Sequence, residues 1–301
     1  MTAGTDMSLD SREVPLGGVR GIEVHRTLPQ RGLPTVGAWC FVDHFGPIDS
    51  RLNVLPHPHT GLQTVTWPLA GNIRHRDSLG SDVVLTPGEL NLMTSGGGVS
   101  HSEVSVGDTS AKMHGLQLWV ALPEDRRAGP AGFEHHADLP MVEGSGWTGT
   151  LMMGELAGSE SPATTHSPLV GAELRLRPGR AKIPLRPDFE HAILAVDGEA
   201  LVGSTEIVHR QMRYLAPGRP DVTVHVPAAT TLLLIGGAPF QDELVMWWNF
   251  IGRSHDDIAA DRADWEASAE RFGQVQGHDG KIIPAPPMPG VRLTPRRRTM
   301  A

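Results

Sequence analysis

The 301-residue sequence contains a single cysteine, Cys40, which excludes an intramolecular disulfide. Cys40 lies in the apolar run from Val36 to Val42, a setting that favours a buried thiol acting as a small hydrophobic side chain. The absence of disulfides agrees with a reducing compartment, and we therefore expect a cytoplasmic protein.

Long apolar runs are also absent, since no stretch approaches the roughly 18 residues of a membrane span. The first residues, MTAGTDMSLDSREVPL, show no basic segment followed by an apolar one, so we expect no signal peptide. Positive charge is in deficit, with 26 Lys and Arg against 34 Asp and Glu and a net charge of −8. Such a chain repels nucleic acid and anionic membranes, so we expect neither as a partner, and we expect a monomer.

Glycine (35) and proline (25) are abundant, and they separate many short apolar runs. The pattern predicts strands at Val19–Val24, Ala38–Val42, Leu62–Trp67, Asn72–Arg76, Asp82–Leu85, Leu90–Met93, Leu116–Leu122, Thr150–Met153, Ala172–Leu176, His191–Val196, Ala200–Val202, Val222–Val226 and Thr231–Ile235. It predicts turns at Phe45–Ile48, Ala70–Asn72, Pro87–Gly88 and Gly96–Gly98. This succession of strands and turns indicates an all-β sandwich or barrel.

The polar stretch from Pro123 to Trp147 separates two halves that resemble each other. LAGNIRHRDS and LTPGEL in the first half parallel AVDGEALVGS and LAPGRP in the second, which aligns Gly71 with Gly198 and Gly88 with Gly218. Two copies of one small barrel explain this similarity most simply, and chance recurrence of turn residues is the alternative. We therefore predict domains at 1–125 and 145–275, followed by a tail at 276–301.

Residues Ser254–Phe272 show helical rather than strand periodicity. Ser254 and Asp257 form a capping-box pattern, and Gly273 ends the run. We expect this helix to pack on its own domain, with binding of a partner as the alternative. The tail Ile283–Arg298 is rich in proline and ends in PRRRT, so we expect a loosely attached extended segment rather than a basic address or anion-binding patch.

Two pairs of potential metal ligands have the spacing i, i+2. His57 and His59 lie in LPHPHTG, and His101 and Glu103 lie in GGGVSHSEVS. In an extended strand the members of such a pair face the same side, roughly 7 Å apart, so both can approach one ion. Pro58 cannot donate to a strand ladder, which predicts an edge or a kink for its strand.

Three imidazoles and one carboxylate suit Fe(II), Mn, Co, Ni, Cu or Zn rather than magnesium or calcium. An octahedral ion with four protein ligands keeps two positions open for reactants. The chain has 15 histidines, so the spacing alone is a weak signal. For most of the remaining histidines we expect surface or hydrogen-bonded roles, among them His75, His114, His135, His136, His166, His209 and His225.

The sequence between the two pairs makes the prediction of a metal site specific. HPHTGLQTVTWPLAGNIRHRDSLGSDVVLTPGELNLMTSGGGVSHSE resembles the two cupin motifs in their pirin-family form. The matching residues are His57, Pro58, His59, Gly61, Thr64, Val65, Thr66, Gly71, His75, Asp77, Ser78, Gly80, Pro87, Gly88, Met93, Gly98, His101, Ser102 and Glu103. FVDHFGP (41–47) and GGAPFQDELVMWWNFI (236–251) also resemble family segments, so the similarity covers most of the chain.

This resemblance implies two tandem cupin barrels, that is, double-stranded β-helices of jelly-roll type, followed by a short C-terminal helix. It implies one metal ion, iron(II), on His57, His59, His101 and Glu103 in the first barrel. The second barrel is expected to be degenerate, because our alignment places Pro184 and Arg186, and Thr231 and Leu233, opposite the four ligands.

One position departs from the family pattern, in which a glutamate commonly stands where this chain has Gln63. We expect Gln63 to hydrogen-bond around the ligands, which leaves Glu103 as the only carboxylate and the general base. We expect Leu90, Met93 and Trp67 to form an apolar pocket wall beside the ion, with Trp67-Pro68 reshaping it.

The resemblance to pirins implies two classes of function. One is a dioxygenase that oxidises a flavonol such as quercetin with dioxygen, and the other is an iron-dependent redox switch that binds a regulatory protein partner, a transcriptional co-regulator or a metabolic enzyme. A metal that only stabilises the first barrel is the third interpretation.

Overall fold

The computed structural model describes residues 5–15, 22–107 and 112–299, and about 53% of the chain is strand and 5% helix. The first half contains β1 (Met7–Leu9), β2 (Arg12–Pro15), β3 (Glu23–Leu28), β4 (Trp39–Ile48), β5 (Asn53–His59), β6 (Leu62–Ala70), β7 (Asn72–Asp77), β8 (Asp82–Leu85), β9 (Leu90–Thr94), β10 (Val99–Val106), β11 (Met113–Ala121) and β12 (Gly132–His136). The second contains β13 (Met141–Gly144), β14 (Trp147–Leu156), β15 (Ser159–Glu160), β16 (Leu169–Leu176), β17 (Gly179–Pro184), β18 (Glu190–Asp197), β19 (Ala200–Val202), β20 (Thr205–Ile207), β21 (Met212–Leu215), β22 (Asp221–Val226), β23 (Thr230–Gly237), β24 (Val245–Trp247) and β25 (Phe250–Gly252), followed by α1 (His255–Glu266) and a 3-10 turn (Glu270–Phe272).

Each half forms a barrel from one large and one small antiparallel sheet. The large sheets have the orders β12-β9-β6-β11-β4-β3-β2 and β1-β21-β18-β23-β16-β14-β13, with β15 beside β14. The small sheets have the orders β5-β10-β7-β8 and β17-β22-β19-β20. Strands β5 to β11 thus repeat as β17 to β23 with the same neighbours. The predicted fold class, all-β with two tandem cupin barrels and a short C-terminal helix, is confirmed.

Most predicted strands coincide with observed ones, although Val19–Val24 lies partly outside the described residues. The predicted turn at Phe45–Ile48 is wrong, because β4 continues through it. Gly46 has φ +82°, and β4 carries one residue more than its partner β11 at this point. A Cβ at position 46 would lie 2.0 Å from the carbonyl oxygen of Met113. The glycine therefore serves a bulge inside the strand rather than a turn.

The internal alignment is right at one glycine and wrong at the other. Gly71 joins β6 to β7 and Gly198 joins β18 to β19, and both have φ +78°. Gly88 precedes β9, whereas Gly218 follows β21, the equivalent of β9. The second pair of glycines is thus displaced by one strand, because glycine-containing turns recur after nearly every strand of a barrel.

Both ends of the described chain attach to the barrel of the other half. Strand β1 pairs with β21 of the second barrel. The segment from β24 to the 3-10 turn lies against the first barrel, where Thr60 forms a bridge to Phe250 and donates a hydrogen bond to Asp261. The division at 1–125 and 145–275 stays a prediction. In the structure, β12 belongs to the large sheet of the first barrel and β13 to that of the second.

Helix α1 is shorter than predicted. Ser254 caps it and forms the expected capping box with Asp257, but the helix ends at Glu266, and a residue with φ +55°, Ser268, separates it from the 3-10 turn. Its buried residues Ile258 and Trp265 pack with Phe272 in a cluster beside the first barrel. No helix in the described part of the chain is long and apolar enough to cross a bilayer.

The two barrels share one hydrophobic core between their large sheets. Its members from the first barrel include Leu28, Trp39, Val42, Val65, Trp67, Leu90 and Leu118, and those from the second include Met152, Leu169, Ala192, Leu194, Leu233 and Ile235. The indole nitrogen of Trp39 contacts the carbonyl oxygens of Val170 and Gly236 at 3.1 and 3.2 Å. Cys40 is fully buried, as predicted, and burial raises the pKa of its thiol.

The C-terminal tail is fixed, so the prediction of a loosely attached segment is wrong. Arg298 reaches between the barrels and donates to the buried carboxylate of Glu190 at 2.8 Å and to the carbonyl of Thr35 at 2.9 Å. Glu190 also accepts from Tyr214 and from the backbone of Gly37. A buried carboxylate needs a cation, and the tail supplies it.

Arg298→Ala should lower the free energy of unfolding by about 3 kcal/mol, because it leaves the carboxylate of Glu190 buried without its cation. Arg297→Ala is the matched control: its partner Glu243 is exposed, so a change within about 0.5 kcal/mol is expected. Urea unfolding monitored by tryptophan fluorescence measures both. Equal stability of the two variants would contradict the role given to Arg298.

A group of histidines also lies between the barrels. His44 and His114 of the first barrel are joined by a 2.7 Å hydrogen bond between their Nε2 atoms, and His209 of the second approaches His44 edge-on. Burial, with further contributions from His114 and His209, lowers the pKa of His44 to about 2. His44 is therefore neutral in the folded chain, while it titrates near pH 6.5 when unfolded.

Since the folded pKa of His44 lies below the unfolded one, the stability that this residue contributes is present above pH 6.5 and is lost as the pH falls. Lowering the pH from 7 to 5.5 should cost about 1 kcal/mol through His44, and His44→Gln should remove that part of the loss. His225→Gln, at an exposed position, serves as the control. Urea unfolding at both pH values tests this, and an unchanged pH dependence in His44→Gln would refute it.

Candidate metal centre

Neighbouring strands of the small sheet bring the predicted ligands together inside the first barrel. Strand β5 lies at the edge of this sheet, as Pro58 predicts, and pairs with β10 so that His57 is opposite His101. A register irregularity between His101 and Glu103 shifts Glu103 opposite Val54. All four side chains are at most 6% exposed.

Three imidazoles form the first group. His57, His59 and His101 offer nitrogen atoms that lie within 4.8 Å of one another, and their ring centroids are 4.4 to 5.1 Å apart. Glu103 falls in a second group with His75 and the shared His101. The structure thus places the predicted carboxylate next to, but not within, the three-histidine group.

Backbone carbonyls orient two of the rings. The Nδ1 atom of His57 lies 2.9 Å from the carbonyl oxygen of Leu55, and that of His59 lies 3.2 Å from the carbonyl oxygen of Asn249. Each Nδ1 donates its proton there, so each Nε2 presents a lone pair, the arrangement typical of metal-binding histidines. Asn249 belongs to the C-terminal segment and is a positioning residue that the sequence analysis missed.

His101 provides the test of whether these residues fit a metal ion. Its Nε2 atom is buried and has no hydrogen-bond partner among the described residues. An unsatisfied buried nitrogen costs about 1–3 kcal/mol, and a cation bound at its lone pair removes that cost. Three neutral nitrogen donors that converge in this way fit a divalent transition-metal ion.

Burial keeps the three histidines neutral. It lowers the pKa of His57 to about 4 and holds those of His59 and His101 well below the ordinary value, with neighbouring histidines adding to the shift at both. Neutral imidazole is the form that coordinates metals, so the protein imposes no protonation cost on binding near pH 7.

Glu103 is held by a hydroxyl from the opposite sheet. Thr66 on β6 donates to its carboxylate at 2.7 Å, and Gln117 on β11 lies 3.1 Å from the same hydroxyl. Burial raises the pKa of Glu103, partly offset by His75 and by the bond from Thr66. A carboxylate in this environment binds a cation or a proton more readily than an exposed one does.

His75, expected to have an ordinary role, lies in the centre. Its Nδ1 is 3.4 Å from that of His101, its Nε2 is 3.2 Å from Asp77, and its ring stacks on Phe133. The motif HRDS could have predicted this position, because His75 and Asp77 form a third i, i+2 pair and face the same side of β7.

Gln63 does not hydrogen-bond around the ligands, and that prediction is wrong. Its amide donates to Thr94 and to the carbonyl of Thr164, in the second half of the chain. Gln63 and Thr66 lie on opposite faces of β6, because side chains alternate along a strand. The amide therefore joins the two barrels and faces away from the centre.

The predicted pocket wall also needs correction. Leu90 and Trp67 face the second barrel, where the Trp67 indole donates to Glu173 at 2.8 Å. Of the three predicted residues, Met93 alone is paired with Thr64 on the inner face. The wall beside His59 is instead aromatic: Trp119 meets its ring edge-on at 5.2 Å, and Phe41 stacks on Trp119 at 3.9 Å.

The second barrel holds aliphatic side chains where the first holds the four predicted ligands. Counting from Gly71 and Gly198 along matching strand pairs, the counterparts of His57, His59, His101 and Glu103 are Ile183, Leu185, Val222 and Val224. All four belong to the core of the second barrel. The counterparts proposed from sequence, Pro184, Arg186, Thr231 and Leu233, are wrong. That the second barrel binds no metal stays a prediction.

Comparison with known proteins identifies the family of this chain. The model of the pirin family matches residues 21–120, and that of the pirin C-terminal cupin domain matches residues 171–273. A Pseudomonas aeruginosa protein provisionally named a quercetin 2,3-dioxygenase is 42% identical over 284 residues, which cover 93% of this chain and 89% of the other. A pirin-like protein from Caulobacter vibrioides is 36% identical over 293 residues, 93% of this chain and 99% of the other.

A solved structure also supports membership of this family. The crystal structure of a quercetin 2,3-dioxygenase from Acinetobacter baumannii is 39% identical in sequence and superimposes with a TM-score of 0.90, covering 96% of this chain and 98% of the other. Pirins typically bind a metal, and the histidine and glutamate groups described above could hold one. Sequence, structure and site agree, and the chain belongs to the pirin family.

Proposed function

We propose that this protein is an oxidoreductase that uses dioxygen to open the ring of a flavonol such as quercetin. The observation that carries the proposal is a group of three buried, neutral imidazoles that offer ring nitrogens within 4.8 Å of one another. The relatives from Pseudomonas and Acinetobacter support the choice of reaction through their names. The proposed ligands are His57, His59, His101 and Glu103, and the proposed ion is iron(II).

The chemistry that a bound ion supplies is Lewis-acid activation of the flavonol's 3-hydroxyl, after which dioxygen adds to the ring and carbon monoxide leaves. Glu103 accepts the proton of that hydroxyl as general base. Thr66 fixes one carboxylate oxygen of Glu103, which leaves the other oxygen, with its two lone pairs, for both the ion and the proton. Phe41 and Trp119 give the planar substrate an aromatic wall and exclude water.

Freshly purified protein should contain about one equivalent of metal, and His57→Ala and His101→Ala should each reduce this at least tenfold, because each removes one of the three neighbouring imidazole nitrogens. Mass spectrometry of the purified proteins measures the metal and identifies it. His225→Ala, at an exposed position, should retain the wild-type content. Wild-type metal content in both site variants would contradict the ligand assignment.

Iron-loaded protein should consume quercetin in air and release carbon monoxide, as followed by loss of flavonol absorbance and by gas analysis. Glu103→Gln should lower kcat roughly 100- to 10,000-fold, since an amide cannot take the proton. Thr66→Val should lower kcat less and keep the metal. Metal analysis of each preparation separates lost chemistry from lost metal. Equal quercetin consumption by wild type and His57→Ala would exclude the proposed dioxygenase activity at this centre and leave the partner-binding and purely structural alternatives.

A further inference from the structure

The mouth of the second barrel contains a buried histidine that the metal centre does not use. His191 on β18 corresponds to Thr64 of the first barrel and faces inwards, between Leu215 and Gly236 of the neighbouring strands. A Cβ at position 236 would lie 2.5 Å from the imidazole of His191, so a glycine is needed for this ring to fit. The core of the second barrel around it is mostly aliphatic.

The imidazole of His191 lacks a hydrogen bond where one is needed. The residue is 1% exposed, and its Nδ1 atom has no partner among the described residues. Burial, together with the charge of Arg219, lowers its pKa to about 4, so the ring is neutral at pH 7. An unsatisfied buried nitrogen is unfavourable by about 1–3 kcal/mol. The other ring nitrogen, Nε2, also has no hydrogen-bond partner among the described residues but is not fully enclosed, so it is the atom of this ring that a ligand can reach.

His191 lines a cavity of about 170 Å³ whose other walls include Val170, Leu185, Phe189 and Leu234. An apolar cavity of about 150 Å³ is large enough for a benzene ring. A wider cavity of about 450 Å³ adjoins it, shares Glu155, Arg186 and Phe189, and provides a route to the surface.

The charges at the rim disfavour an anion. Arg186 is already paired with Asp188 at 2.6 Å and lies over the ring of Phe189. Glu155 and Glu160 add negative charge at the same opening. The described residues show no group of metal ligands here. These charges and the apolar walls suit an uncharged occupant with one hydrogen-bonding group, and the ring of Phe189 favours an aromatic one.

We propose that the mouth of the second barrel is a binding site for a small monocyclic phenol. The ring would pack against Leu185, Phe189 and Leu234, and the hydroxyl would pair with the imidazole of His191. This site is separate from the proposed metal centre, and the proposal holds whether or not that centre turns over a flavonol.

The test compares phenol with benzene, which has the same ring and no hydroxyl. In protein carrying ¹³C-labelled histidine, phenol should shift the ring signal of His191, identified by its loss in His191→Leu. Calorimetry should show phenol binding at least tenfold more tightly than benzene, the factor expected for one hydrogen bond. In His191→Leu, whose wall becomes wholly apolar, this preference should vanish while benzene still binds.

Two controls make the result specific. His225→Leu changes an exposed histidine and should keep the preference for phenol. His57→Ala should also keep it, because it changes the metal centre and leaves the proposed phenol site intact. Equal affinity for phenol and benzene in the wild type would overturn the proposal, and so would a preference that persists in His191→Leu or disappears in His57→Ala. Should His191→Leu fail to fold, as a melting curve would reveal, the comparison of the two ligands in the wild type and the His191 signal decide.

Discussion

The packing of one large sheet against the other is the constraint on which the rest of the molecule depends. Each large sheet has an inner face towards its own barrel and an outer face that would expose Val, Leu and Trp side chains to water if the halves were apart. The indole of Trp39 crosses this interface, and its ring fits because Gly171 has no side chain there. With the outer faces fixed by their mutual contact, the two interiors are free to differ.

The interiors do differ, on nearly identical frameworks. Four positions that carry imidazoles and a carboxylate in the first barrel carry isoleucine, leucine and two valines in the second. Most buried polar groups have a hydrogen-bond partner, and in the first barrel Leu55, Asn249 and Thr66 supply one to His57, His59 and Glu103. The second barrel avoids that requirement by filling the same space with hydrocarbon, and the unpartnered His191 stands out for this reason.

Much of this could be read from the sequence, because it depends on local rules. Alternation along a strand predicted that His57 and His59 face one side, and turn residues predicted most strand ends. The errors concern contacts between distant parts of the chain. Gln63, Trp67 and Leu90 were assigned to the wrong face because alternation tells which residues share a face but not which face is inside. Likewise, no local pattern shows that Arg298 meets Glu190.

His59 and the carbonyl that orients it are 190 residues apart. At the usual pace of translation, roughly 5–20 residues per second, about 10 to 40 seconds separate the emergence of the imidazole from that of Asn249. During this interval the first barrel has its histidines but lacks the backbone group that fixes one of them. During synthesis on the ribosome, the three histidines therefore cannot all be oriented for metal binding until the chain is nearly finished.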